Sequence, residues 1–97
     1  MPVAVLVEAT LKPGAAGEMK ALLKKLLPET RAFDGFVHID VYHDLDNPHA
    51  LTLYERWASR AHYEAYLAWR TENGTLDQLG ALLAAPPRIR FFERWDV

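Results

Sequence analysis

The sequence predicts an α+β domain of β-α-β-β-α-β type: a four-stranded antiparallel sheet with its main helices on one face. Three observations carry that prediction. Residues 36–43 and 50–57 each alternate apolar and polar side chains with a period of two, and a turn-rich link joins them. Two stretches with the 3.6-residue spacing of amphipathic helices flank that pair, and β-rich runs lie outside them.

From Val3 to Thr10 the residues are largely β-branched or small and apolar, and Lys12-Pro13-Gly14 punctuates the chain, which reads as a strand and a turn. Met19, Leu22, Leu23, Leu26 and Leu27 then fall on one helical stripe, with Glu18, Lys20, Lys24 and Lys25 opposite. Pro28 removes a backbone donor, so a kink or break is expected there with a frayed continuation to about Phe33. In the second strand Val37, Ile39 and Val41 alternate with Phe36, His38, Asp40 and Tyr42. Asp44-Leu45-Asp46-Asn47-Pro48-His49 is dense in turn formers and leads to the strand from Ala50 to Trp57, giving an antiparallel hairpin. Ser59 is placed to cap a helix running to about Glu72, with Tyr63, Tyr66, Leu67 and Arg70 on one side and Asn73-Gly74 as its stop. Thr75 and Gln78 have capping-box spacing for a short third helix. The alternation from Ile89 through Trp95 predicts a last strand to the C-terminus. Two β-α-β units joined by a hairpin give the ferredoxin-like plan, strand order 4-1-3-2, over one domain spanning residues 1–97.

The more apolar parity of each strand belongs under the helices: Val3, Val5, Val7, Val37, Ile39, Val41, Leu51, Leu53, Ile89 and Phe91. The other face carries Leu6, Phe36, Tyr42, Tyr54 and Phe92 among charged residues, more aromatic than a solvated face requires, so a homodimer through it is expected. Glu55, Trp57, Glu93 and Trp95 interrupt the aliphatic pattern on the helix side, which implies either a salt-bridged rim or a polar pocket.

Composition excludes several classes of function. At 51% hydrophobic and 25% charged, with no run of 18 apolar residues, the 97-residue chain reads as globular and not as a membrane span. The net charge of −2 with interleaved signs offers no basic stripe for nucleic acid. The start lacks a basic n-region, so a cytoplasmic location is expected. There is no cysteine, no glycine fingerprint for a nucleotide or flavin, and no well-spaced set among His38, His43, His49 and His62, so neither cofactor nor metal is expected. Trp57, Tyr63 and Tyr66 should converge at one end of the core, whether as packing or as the wall of an aromatic pocket.

Four segments carry a resemblance: Leu11-Lys12-Pro13-Gly14, Phe33-Asp34-Gly35-Phe36, Tyr42 through Pro48, and Leu53-Tyr54-Glu55-Arg56-Trp57-Ala58-Ser59-Arg60. In order and spacing the chain resembles the antibiotic biosynthesis monooxygenase domain, the Tyr-Glu-x-Trp of the third strand being the most specific piece. The resemblance implies a dimeric α/β barrel with a small pocket between sheet and helices. It also implies oxidation of a small aromatic quinol or phenol by O2 without a cofactor, the substrate anion itself donating an electron to oxygen. By motif position Trp57 closes the third strand and Tyr63 follows on the next helix, while Leu53 replaces an Asn that some of these enzymes carry. The haem-degrading branch has Asn, Trp and His where this chain has Val7, Tyr66 and Leu76, so haem degradation is not expected.

Two functions fit these residues. In the first, Trp57 and Tyr63 shape the site and hydrogen-bond the ring, Glu55 or His62 is the candidate base, and Leu53, Tyr66, Val7 and Ile39 line the substrate pocket. In the second, the same fold is a non-catalytic dimeric module that binds a small ligand or serves a stress response.

Overall fold

A computed structural model describes residues 2–97. The elements in chain order are β1 (Val3–Thr10), α1 (Ala16–Arg31), β2 (Phe36–His43), β3 (Ala50–Trp57), α2 (Arg60–Glu72), α3 (Thr75–Gly80) and β4 (Arg88–Phe92). The strands form one antiparallel sheet of order β2-β3-β1-β4, the expected 4-1-3-2 plan read from the other edge. The helices lie on one face, and the core divides into two clusters. Leu11, Met19, Leu23 and Leu51 form one, closed over by Leu79, Leu82 and Leu83. Val5, Trp57 and Tyr63 centre the other, with Phe33, Phe36, Tyr66 and Phe91 packed around them.

The sequence expectations fail at four places, each for a local reason. Phe36 pairs with Trp57 and His38 with Arg56, so Val37 is an extra residue in β2 and the parity of the strand resets across it. Phe36 therefore turns into the core, its ring 5.5 Å from that of Trp57, while Val37 is left 51% exposed. Pro28 does not break α1, which continues to Arg31 because its last turn is fastened from α2. Arg70 Nη2 donates to the Leu26 carbonyl (2.9 Å) and to Thr30 Oγ1 (3.0 Å).

At α3 the capping box does not form. Gly74, at φ 78°, makes the turn, the Thr75 amide donates to Asn73 Oδ1, and Thr75 is itself buried inside the helix start. Finally, β4 stops at Phe92, which already pairs with Ala4 near the start of β1. Continuing the ladder would bring Arg94 opposite Pro2, which has no amide to donate. Glu93 and Trp95 thus lie outside the sheet, with Trp95 72% exposed.

Arg70 is the strongest tie between the two long helices. Its side chain is 1% exposed, Nε donates to Tyr66 Oη (3.0 Å), and Nη1 meets Glu29 Oε1 at 3.2 Å. Thr30 Oγ1 and Tyr66 Oη are 2.7 Å apart, so the guanidinium, both hydroxyls and a helix-end carbonyl form one connected set. The positive charge also sits at the C-terminal end of α1, where the helix dipole favours it. Replacing Arg70 with Met keeps the apolar stem but leaves these acceptors dry, and a loss of about 2–4 kcal/mol is expected in urea denaturation. Glu29→Gln, on the exposed side of the same pair, should cost under about 1 kcal/mol.

Candidate functional site

The period of two along β3 places both Glu55 and Trp57 beneath the helices. In the ladder Glu55 lies between Ile39 of β2 and Val5 of β1, with Phe91 on the far side of Val5. All its sheet neighbours on that face are apolar, and its side chain is only 3% exposed. One hydrogen bond reaches it among the described residues: Trp57 Nε1 donates to Glu55 Oε1 at 3.0 Å. Burial pushes the Glu55 carboxyl up to about 7 from an ordinary value of 4.5, and the indole bond offsets only part of that rise. Of the two arrangements left open by the sequence, a salt-bridged rim and a polar pocket, Glu55 forms neither. It is a lone carboxylate within an aromatic cluster.

Helix α2 supplies the roof. Ser59 caps it, accepting the His62 amide at 3.2 Å, and this fixes where the first two turns present Tyr63 and Tyr66. The Trp57 ring centre lies 5.7 Å from that of Tyr63 and 5.0 Å from that of Tyr66, with Phe33 at 6.2 Å on another side. Burial, then the charge of Glu55, then Tyr66 drive the Tyr63 phenol far upward, so its proton stays on. The two tyrosines differ in what their hydroxyls do. Tyr66 is held by Thr30 and Arg70, whereas Tyr63 has no hydrogen-bond partner among the described residues.

The structure thus gathers Glu55, Trp57, Tyr63 and Tyr66, with Ile39 beside Glu55 in the ladder. Leu53 and Val7, paired with each other, form the next rung of the same face. His62 is not part of the group. Its Nδ1 is 2.7 Å from Ser59 Oγ, its Nε2 is 3.6 Å from Asp34 Oδ2, and its ring covers Gly35 so closely that a Cβ there would clash with it. These contacts close the N-terminus of α2 onto the turn before β2. Phe33, Phe36, Thr30 and Arg70 were missing from the site as read from sequence. Arg70 had left a sign, a cation within the apolar stripe of α2; Phe36 was hidden by the bulge.

A groove of about 600 Å³, which Glu55 does not line, lies between α1 and the ends of β2 and β3 near their hairpin, with Leu11, Met19, Leu23, Leu27, Val41 and Leu51 among its walls. Leu51 is four residues from Glu55 on β3, a separation of roughly 13 Å along an extended strand. The Val41–Leu53 rung stands between groove and carboxylate. Among the described residues no three His, Asp or Glu side chains gather to hold a metal ion.

A family model described as antibiotic biosynthesis monooxygenase matches residues 2–71, which includes the whole of β3, the Ser59 cap and Tyr66. The chain belongs to the antibiotic biosynthesis monooxygenase family. Rv0793 of Mycobacterium tuberculosis, named provisionally as a monooxygenase, is 35% identical over 94 residues, covering 91% of this chain and 86% of that protein. Its solved structure superposes with a TM-score of 0.80 over 100% of this chain and 98% of that one. A conserved protein of Methanosarcina mazei reaches a TM-score of 0.87 at 23% identity, covering 98% and 94% of the two chains. SnoaB of Streptomyces nogalater, a cofactor-independent oxygenase solved in a mutant form, reaches 0.84 at 17% identity, covering 99% and 95%. At those last two identities the likeness is one of fold. For this member of the antibiotic biosynthesis monooxygenase family, the Glu55–Trp57–Tyr63 cluster therefore lies on the segment that the family model matches.

The elevated Glu55 carboxyl has a signature in stability. Folding raises its pKa, so the folded chain holds the proton more tightly than the unfolded one, and stability falls as pH rises from about 4.5 to about 7. Below that window the penalty is absent, and above it the full penalty remains. Glu55→Gln should therefore gain on the wild type by about 3 kcal/mol between pH 4.5 and pH 8, read from urea midpoints. Parallel curves for the two proteins would mean that Glu55 is solvated or paired in the folded chain.

Proposed function

We propose that this chain is a cofactor-independent monooxygenase that oxidises a small aromatic quinol or phenol with molecular oxygen. The observation that carries the reading is Glu55: a carboxylate in an apolar aromatic surround, with one indole partner and a pKa of about 7, suited to take a phenolic proton at neutral pH. Family membership and the cofactor-independent activity of SnoaB, which shares the fold, support it. The phenolate formed by proton transfer to Glu55 gives an electron to O2. Recombination of the two radicals and loss of water leave the quinone. Trp57 flanks the ring, and the hydroxyl of Tyr63, which has no partner among the described residues, donates to the substrate oxygen. Substrate arrives along the groove by displacing Leu53, which is half-buried and one rung from the carboxylate.

Oxygen uptake with a panel of reduced quinones and phenols tests the proposal. Saturable uptake is expected, with kcat/KM rising with pH through about 7 as Glu55 ionises. Glu55→Gln should lower the rate by about 10²–10⁴. Tyr63→Phe should lower it by about ten- to a hundredfold with stability nearly unchanged. A competing reading, a non-catalytic small-ligand module, draws on the closed packing around Trp57 and on Leu53 in place of a polar residue. It would replace the first if quinols bind without stimulating uptake and Tyr63→Phe is silent.

The working unit in this proposal is a homodimer formed through the sheet face away from the helices. Leu6 and Tyr54 are half-buried there, while Tyr42 and Phe92 are exposed. On the same face Arg90 pairs with Glu8 at 2.6 Å, yet its Nε is buried with no acceptor among the described residues, a donor that a second chain can satisfy. Light scattering should give twice the 11.0 kDa chain mass. Tyr54→Lys, which forces a charge into that face, should shift the mass toward the single chain.

A further inference from the structure

We infer that the groove between α1 and the β2–β3 hairpin binds an apolar organic anion, an aryl body bearing one carboxylate or comparable acidic group. The groove has two chemical zones. Its floor and inner walls are aliphatic, drawn from the first core cluster together with Leu27 and Val41. Its polar lining is cationic or imidazole: Lys20, Lys24 and Arg31 from α1, and His43 from the end of β2. Among the described residues no Asp or Glu lines it, although the chain as a whole carries a net charge of −2.

None of these four side chains joins an ion pair among the described residues. Lys20 and Lys24 are one helical turn apart, and Arg31 lies seven residues further, so the three cations form a row beside the Met19–Leu23–Leu27 stripe. Long cationic stems can lie along such apolar walls and bring their charges to the mouth. His43 is fixed in place, its Nε2 lying 2.7 Å from the Pro48 carbonyl. An aromatic body of two or three rings fits about 600 Å³, and an acidic substituent at the mouth would meet the cation row. A neutral ligand fills the floor and leaves that row unanswered. The binding statement holds for enzyme or module alike. Joined to the monooxygenase reading, on which this narrowing rests, it makes the substrate a phenol that already bears an acidic group.

The chain has two methionines, and Met19 lines the groove, so methyl-13C-methionine labelling gives an almost background-free report from the site. The probe is 2-naphthoate, which has no oxidisable hydroxyl, compared with its neutral methyl ester; the outcome therefore does not depend on catalysis. A saturable shift of the Met19 methyl is expected with 2-naphthoate, and the ester should bind about tenfold more weakly. Lys24→Glu, at an exposed helix position, should weaken the acid by about tenfold or more and leave the ester unaffected. The inference is overturned if the Met19 methyl does not move, if acid and ester bind alike, or if Lys24→Glu leaves the preference intact. Oxygen uptake that survives any of those results would leave the monooxygenase reading standing without this substrate class.

Discussion

A carboxylate removed from water without a cation to answer it is costly, and the architecture around Glu55 is organised by that cost. Its neighbours in the ladder are Ile39 and Val5, and its one side-chain hydrogen bond among the described residues comes from a neutral indole two residues along the same strand. A buried charge usually persists only with a counter-ion; lacking one, the group holds its proton instead, and its pKa moves toward neutrality. The Trp57 indole limits that shift, since a donor to the carboxylate stabilises the ionised form. Tyr63 responds in turn, because the charge of Glu55 adds to burial in keeping its phenol protonated. The result is a carboxyl of raised pKa beside a phenol that keeps its proton, in a nearly dry surround.

Holding such a cluster shut requires ties that lie outside it. Arg70 supplies one, joining the end of α1 to α2 through Leu26, Thr30, Tyr66 and Glu29, and thereby fixing the Tyr66 ring over Trp57. Gly35 supplies another. Its φ of 85° makes the turn into β2, and its missing side chain lets His62 close over it. The bulge at Val37 is the third, since it turns Phe36 inward against Trp57. Each of these ties fixes part of the frame around the aromatic cluster: the Tyr66 ring, the start of α2 or the Phe36 ring.

The fold was largely legible because its signals are periodic: the Met19–Leu27 stripe, the hairpin alternation and the Ser59 cap depend on local chemistry. What was hidden depends on partners distant in sequence. A bulge leaves no mark in the alternation itself, so Phe36 read as outward-facing. Pro28 read as a kink or break because the Arg70 contact that steadies the turn comes from residues about forty positions away. Trp95 repeats Trp57 in sequence, and both indoles reach a glutamate two residues back, but only Trp57 has strands on either side to bury it. Of the candidate site, Glu55, Trp57, Tyr63 and Tyr66 were named from sequence and do converge. His62 belongs instead to the helix cap, and the groove between α1 and the hairpin became visible only with the helix laid against the sheet.

The two clusters of the core thus have different chemistry, one aliphatic beside a cation-rimmed groove and one aromatic around a carboxylate, with the Val41–Leu53 rung between them. The central claim is that Glu55 stands ready to accept a proton near neutral pH. Its most direct test is a carboxyl-13C NMR titration of glutamate-labelled protein, with Glu55→Gln assigning the resonance. A midpoint near pH 7 is expected for Glu55. A midpoint in the ordinary carboxylate range, near 4 to 5, would contradict it.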